Sequence, residues 1–255
     1  MLFDSHAHYN DALFNPDRMK SIENAKQNGV VHIITVSCDI ASSIENITLA
    51  QNNDIFHAAV GVHPNNVIDL NNNIISALTE FASYREVVAI GETGLDYFYD
   101  NSPREVQKIW FAKHISLARS VKLPLIIHNR EAHEDMLNML KSEKAYEVGG
   151  VMHCFSGSVE MAREVMNLGF LISFAGPVTF KNANKLLEVA RFVPDDMLLI
   201  ETDSPDLAPE PVRGKRNESA NVRFIAEKLA KIRGKSFEYI AEITTSNAKR
   251  LFGIE

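Results

Sequence analysis

Along this chain a short apolar, often β-branched run is followed by a longer stretch with helical spacing, and the unit recurs from one end to the other. The runs lie at 2–8 (LFDSHAH), 30–37 (VVHIITVS), 55–64 (IFHAAVGVHP), 87–96 (VVAIGETGLD), 123–130 (LPLIIHNR), 150–157 (GVMHCFSG), 170–176 (FLISFAG) and 197–205 (MLLIETDSP). The helical stretches fall at 16–28, 41–52, 73–83, 103–121, 132–145, 158–168 and 181–192, with 219–233 and 236–252 closing the chain. Strands alternating with helices predict βαβ units and a parallel sheet. One helix start is marked by SPRE, which offers Ser102 as N-cap, Pro103 in the first turn and Glu105 three residues after the cap.

Eight strand–helix units in 255 residues match a single (β/α)8 TIM barrel spanning 1–255. The alternative is an open doubly wound sheet. The barrel is preferred because polar residues recur at the C-terminal ends of many different strands. In a barrel all those ends converge on one pocket. No Gly/Ser linker, low-complexity segment or abrupt change of composition divides the chain.

Composition narrows the picture. Apolar residues make up 45% of the chain, enough for a sizeable core. No apolar run approaches the ~20 residues of a membrane span, and MLFDSHAHYN lacks the basic and apolar regions of a signal peptide. A soluble, cytoplasmic protein is expected. The net charge of −7 weighs against tight, sequence-blind binding to long nucleic acid, but not against an enzyme that meets phosphate with metal and a local basic loop. Cys38 and Cys154, far apart and outside any C-x-x-C pair, read as buried, inert thiols.

The chemistry begins with LFDSHAHYN. Side chains alternate faces along a strand, so His6 and His8 point the same way. Two imidazoles on one face make a poor apolar core and a good half of a metal site. The plainer reading is a pair bonded to backbone or water. Other strand ends supply further donors: Glu92 in GETGLD, His128 in IIHNR, His153 in MHCFSG and Asp203 in IETDSP. Each is a polar group at the rim of a core, where an unpaired group is costly. Two divalent ions would satisfy all six. Four imidazoles and two carboxylates suit Zn, Mn, Fe or Ni, and are less typical of Mg alone. His32 and His57 in strands, and His114 and His133 on helices, read as structural. His63 in GVHPNN either lines the pocket or caps the turn before Pro64; the pocket is preferred.

The words FDSHAHYN, GVHP, AIGETGLDY, LPLIIHNREA, HCFSGS and ETDSPDLAPEPVRGKRNE resemble the TatD family of metal-dependent deoxyribonucleases, within the amidohydrolase-like metal barrels. The likeness runs through the closing TTSNAKRLFG. Where many of the wider group carry a modified lysine on strand 4, this chain has Glu92, as TatD proteins do. Ser219 departs from the Pro expected there, a change that concerns helix entry. The resemblance implies one ion (Zn, Mn, Mg, Fe or Ni) held by His6, His8 and Asp203, and a second by His128 and His153, with Glu92 bridging. Asp203 and Glu92 are the implied catalytic pair, Asp203 orienting a water and taking its proton. Arg213, Lys215 and Arg216 in the loop after strand 8 lie near the pocket mouth, where Arg213 and Arg216 can grip phosphate. Arg130 is a weaker phosphate candidate. Asp96 and Tyr97 either contact substrate, Tyr97 by stacking on a base, or shape their loop. Trp110 reads as packing.

The expected activity is 3′-to-5′ exonuclease cleavage of single-stranded DNA, acting on strand ends or oligonucleotides, with neither a membrane nor a stable protein partner implied. A second reading keeps the metals and changes the bond to a carboxylic ester or amide, for instance an aminoacyl ester of tRNA. The Arg213–Arg216 loop discriminates, since a phosphodiesterase should depend on those charges. A third reading is a metal-stabilised scaffold, against which the retained Glu92, Asp203 and four histidines argue.

Overall fold

The computed structural model describes residues 1–71, 73–99 and 101–255. Its strands are β1 (Leu2–Ala7), β2 (Val30–Val36), β3 (Phe56–Val60), β4 (Val87–Asp96), β5 (Leu125–Arg130), β6 (Gly150–Met152), β7 (Phe170–Phe174) and β8 (Leu198–Ile200). They pair in chain order, always parallel. The helices are α1 (Arg18–Gln27), α2 (Ile40–Asn52), α3 (Asn73–Phe81), α4 (Arg104–Val121), α5 (His133–Ser142), α6 (Val159–Asn167), α7 (Asn184–Phe192), α8 (Val222–Arg233) and α9 (Phe237–Phe252). A parallel bridge between Ala7 and Ser204 brings the end of the sheet back to its start. Beside it, His8 N–H donates to the Ser204 carbonyl (2.7 Å) and Asp203 N–H to the His6 carbonyl (2.9 Å). The architecture is therefore the (β/α)8 barrel rather than the open sheet.

Each strand is apolar on both faces because both faces are covered. Phe3, Ile34, Ala59, Val88, Ile126, Val151, Leu171 and Leu199, one or more from every strand, form the inner cluster. Phe252 of α9 closes its lower end, its ring stacked on Phe3 at 6.2 Å. The alternate residues pack outward against the helices in a larger second cluster. Trp110 of α4 belongs to it, 5% exposed.

Strict alternation does not put the first histidines inside. Phe3 belongs to the inner cluster and the Ser5 hydroxyl reaches Ser173 across the barrel (3.3 Å), so period two would turn Ala7 inward next. The β1–β2 register shifts between Asp4 and Ala7 instead. That irregularity moves Ala7 to the outer cluster and aims His6 and His8 at the top of the barrel.

The strands expected at 150–157 and 197–205 end early, at Met152 and Ile200. Beyond them the backbone leaves the ladder for tight turns in which Cys154 (φ 40°) and Asp203 (φ 57°) adopt left-handed conformations uncommon outside glycine. His153 and Asp203 thus project from turns rather than from strands. Ser102 is not the cap of α4. Pro103 precedes the first helical residue, and the Gln107 side chain ties the loop instead, donating to the carbonyls of Asp96 (2.9 Å) and Ser102 (2.8 Å) and accepting from Asp96 N–H (2.8 Å). Ser219 sits buried in a 3-10 turn leading into α8. Among the described residues no helix is long and apolar enough to cross a membrane.

His114 of α4 is fully buried. Its Nδ1–H donates to the Trp110 carbonyl (2.8 Å) and its Nε2 accepts from Val62 N–H (3.1 Å), which anchors the loop that carries His63. Burial, partly offset by the Trp110 bond, pushes its pKa down to about 4. Its folded pKa lies below the unfolded value, so the unfolded chain binds more protons between pH 6.5 and 4. The stability it contributes is present above pH 6.5 and lost on acidification through that window, by up to about 3 kcal/mol. Urea unfolding at stepped pH should show this slope, and His114→Gln should flatten it.

Candidate active site

The strand ends of the barrel surround a cavity of about 670 Å³, lined by His8, His63, Glu92, His128, His153 and Asp203 among others. Glu92 lies at its centre, 2% exposed. Its Oε1 is 2.8 Å from His128 Nδ1 and 2.8 Å from His153 Nε2. Its Oε2 is 3.5 Å from His6 Nε2 and 3.7 Å from His8 Nε2. Those two imidazoles stand 3.1 Å apart and lie 3.6 and 3.5 Å from Asp203 Oδ1. The six donors thus form two clusters sharing one carboxylate.

The tautomers follow from what stands behind each ring. His8 Nδ1–H donates to the Val36 carbonyl (2.9 Å), His128 Nε2–H to Asp96 (3.0 Å) and His153 Nδ1–H to Glu201 (3.2 Å). Each leaves the opposite nitrogen as a lone pair facing the cluster. Lone pairs and carboxylate oxygens crowded at about 3 Å repel one another unless a cation or a proton lies between them. Donors sharing a tetrahedral ion at Zn–N distances stand about 3.4 Å apart. The observed spacings, 2.8 to 3.7 Å, fit such an ion. One of the residue triplets able to hold a metal is His6, His8 and Asp203.

The surroundings of both carboxylates favour their charged form. Burial opposes charge on Glu92, but His153, His63 and His128 hold its carboxyl well below the usual range. Asp203 is likewise held low by His8, His6 and His153 against its burial. Burial pushes His63 down to about 4. This imidazole, neutral at neutral pH, accepts from Asn65 N–H at Nδ1 (3.1 Å), so its proton sits on Nε2, 3.7 Å from Glu92. His63 therefore both caps the turn and offers a donor to the cavity.

The remaining candidates are placed less uniformly. Arg130 lines the cavity, its guanidinium over the exposed Phe98 ring (4.2 Å). Asp96 is buried beneath His128, where its Oδ1 also accepts from Phe98 and Tyr99 N–H (3.0 Å each). Tyr97 commits its hydroxyl to Asp135 (2.6 Å) and lies outside the cavity lining. Arg216 is bound to Asp17 (2.5 and 3.0 Å) and the Leu13 carbonyl (2.8 Å) and lines a separate cleft against α1. Arg213 stands over Phe180 (4.1 Å), 3.8 Å from Glu210. Three residues that the sequence reading took as structural or inert line the cavity. His133 is at the rim, accepting from Asn129 (2.8 Å). Cys38 and Cys154 are partly exposed in the lining rather than buried, with Cys38 Sγ 3.8 Å from His8 Nδ1. Burial beside Asp203 and Glu201 pushes the Cys154 thiol well up, which keeps it inert. Glu201, wholly buried behind His153 and outside the cavity lining, also escaped the reading; a carboxylate two residues before Asp203 was its one signal.

Gly94 of β4 is required here. A Cβ at this position would stand 2.0 Å from the His128 carbonyl oxygen, and its φ is +143°. Gly94→Ala is expected to cost about 3 kcal/mol and to displace His128. Thermal unfolding and metal titration check both.

Such a barrel, with imidazoles and carboxylates gathered at its strand ends, is that of a metal-dependent hydrolase. A family model described as TatD related DNase matches residues 3–253. An uncharacterized metal-dependent hydrolase of Bacillus subtilis, YabD, is 49% identical over 254 residues, covering 100% of both chains. The 3′-5′ ssDNA/RNA exonuclease TatD of Rahnella sp. is 30% identical over 259 residues, covering 99% of this chain and 98% of its own. The crystal structure of YJJV, a TatD homolog from Escherichia coli K12, has a TM-score of 0.94 and 30% identity, covering 100% of this chain and 98% of that one. The chain belongs to the TatD family of metal-dependent hydrolases.

Proposed function

We propose that this hydrolase is a deoxyribonuclease that shortens single-stranded DNA from its 3′ end, with two divalent ions per chain. His6, His8 and Asp203 would hold one ion and His128 and His153 the other, with Glu92 between them. The observation that carries the reading is the division of the Glu92 carboxylate, one oxygen facing each donor cluster. The exonuclease name of the Rahnella relative supports the polarity and the substrate. The imidazole-rich set suits Zn, Mn, Fe or Ni better than Mg.

Bound ions supply Lewis acidity here, lowering the pKa of a water and neutralising phosphate oxygens. The chain does the rest. Asp203, part-exposed at the edge of the donors, orients the attacking water and holds the proton it loses on a carboxylate oxygen. His63 Nε2–H and the Arg130 guanidinium donate to phosphate oxygens entering the cavity.

One observation favours hydrolysis of an ester or amide, such as an aminoacyl-tRNA ester, as a second reading. Among the described residues that line the cavity, Arg130 is the one lysine or arginine. The two readings part on a 5′-labelled single-stranded oligonucleotide, with Mg, Mn or Zn restored to metal-stripped protein. A ladder receding from the 3′ end is expected. No cleavage with any metal overturns the nuclease reading, and release of amino acid from aminoacyl-tRNA would favour the second. Arg130→Ala should raise KM about tenfold through loss of a charged phosphate contact. Arg216→Ala should instead lower stability by about 1–2 kcal/mol, since its bonds to Asp17 and Leu13 are internal. Steady-state kinetics and urea unfolding of the two variants test the contrast.

A further inference from the structure

Beneath the donors lies a second carboxylate. Glu201 follows β8 and is 0% exposed. Its Oε1 accepts from His153 Nδ1–H (3.2 Å) and Cys154 N–H (2.7 Å). Its Oε2 has no hydrogen-bond partner among the described residues, and neither has Nδ1 of the equally buried His6. A nitrogen of His6, a nitrogen of His153 and a carboxylate oxygen of Glu201 lie within 4.8 Å of one another.

The rings explain why the unpartnered nitrogen of His6 is turned away from Glu92. His6 and His153 lie parallel, centroids 4.0 Å apart and planes 13° apart. Both present Nε2 to Glu92, at 3.5 Å from Oε2 and 2.8 Å from Oε1. The other ring nitrogens are thereby turned from Glu92, and that of His153 ends on Glu201. Two stacked imidazoles, one from each donor cluster, thus present one nitrogen to Glu92, and the far nitrogen of His153 is bonded to Glu201. Buried polar atoms are rarely left unpaired, because desolvation without a bond is costly.

We infer that Glu201 is a positioning residue shared by both halves of the centre. Its Oε1 fixes the Nδ1–H tautomer of His153. Its Oε2 does the same for His6, directly after a small turn of the carboxyl group or through one water. Other supports are private: Asp96 serves His128, and the Val36 carbonyl serves His8. Among these supports Glu201 is the one that reaches both clusters from behind, so its loss should loosen both ions together. This inference rests on the two-ion reading.

Calorimetric titration of metal-stripped protein with Zn²⁺ tests it. The wild type should bind two equivalents. Asp96→Asn should weaken one step. Glu201→Gln should weaken both, by 10- to 100-fold each as for other residues behind metal ligands. Weakening of one step, or of neither, overturns the shared role. Should Glu201→Gln fail to fold, long-range ¹H–¹⁵N spectra of the Zn²⁺-loaded wild type decide. A proton on His6 Nδ1 is expected, and its absence overturns the inference. A wild-type stoichiometry of one ion would sink the two-ion reading instead, and the His6 Nδ1–H signal would then decide the role of Glu201 by itself.

Discussion

Replacing Asp203 by Asn is expected to lower kcat on the order of 10³-fold or more while leaving the fold intact. Asn keeps the volume of Asp and is among the residues that tolerate the left-handed backbone at φ 57°, so the turn after β8 should survive. What is lost is chemical. An amide at this position cannot hold the proton of the attacking water. It is also a weaker partner for the two imidazoles, which lie 3.6 and 3.5 Å from the Asp203 carboxylate. On the proposed reading substrate phosphate would also meet Arg130 and His63, so KM should change far less than kcat. Steady-state kinetics on the oligonucleotide and on bis(p-nitrophenyl) phosphate, with circular dichroism beside them, make the measurement. Activity above a tenth of wild type would remove Asp203 from the proton-transfer role.

Replacing Glu92 by Gln is expected to do more damage to metal binding than to folding. The carboxylate is 2% exposed and has five imidazoles around it, His128, His153 and His63 at Oε1 and His6 and His8 at Oε2. An amide offers one acceptor oxygen and turns an NH₂ toward the other cluster, where lone pairs should meet a cation rather than a second donor. Neither cluster then keeps its full donor set and charge. On the two-ion reading, metal content after dialysis should fall from two equivalents to below one, and hydrolysis on the order of 10³-fold or more, the scale of lost Lewis-acid stabilisation. Asp203→Asn, which touches one cluster, should keep an ion at His128 and His153. Elemental analysis of the two variants side by side separates shared from private ligands. Two ions retained in Glu92→Gln would contradict a bridging carboxylate.

Both variants concern residues that stood out before any coordinates did. The apolar runs and their polar endings are local properties, and a parallel barrel gathers all such endings on one rim. His6, His8, Glu92, His128, His153 and Asp203 were therefore legible as a set. The path by which they converge was not. Alternation alone would have turned Ala7 inward, and a register shift between Asp4 and Ala7 supplied the phase. His63 looked like a choice between turn cap and pocket residue, and its two ring nitrogens do one task each.

The residues whose surroundings the sequence did not show share a cause. Arg216 looked like a phosphate ligand from its basic surroundings, yet its partner Asp17 is 199 residues away in sequence. Tyr97 read either as a stacking residue or as a shaper of its loop, and Asp135, in the first turn of α5, bonds its hydroxyl. Cys38 and Cys154 looked buried and instead line the cavity.

The sequence by itself determined the class of fold, the order of its elements and the chemical identity of the donors, because hydrophobic period and side-chain chemistry are written residue by residue. Only the tertiary structure decided which groups stand behind those donors. Asp96 beneath His128 and Glu201 beneath His153 and His6 owe their positions to neighbouring strands, and to the closure of β8 against β1 that sets Asp203 beside His6. Such pairings depend on register across a closed sheet, which no stretch of one chain encodes locally.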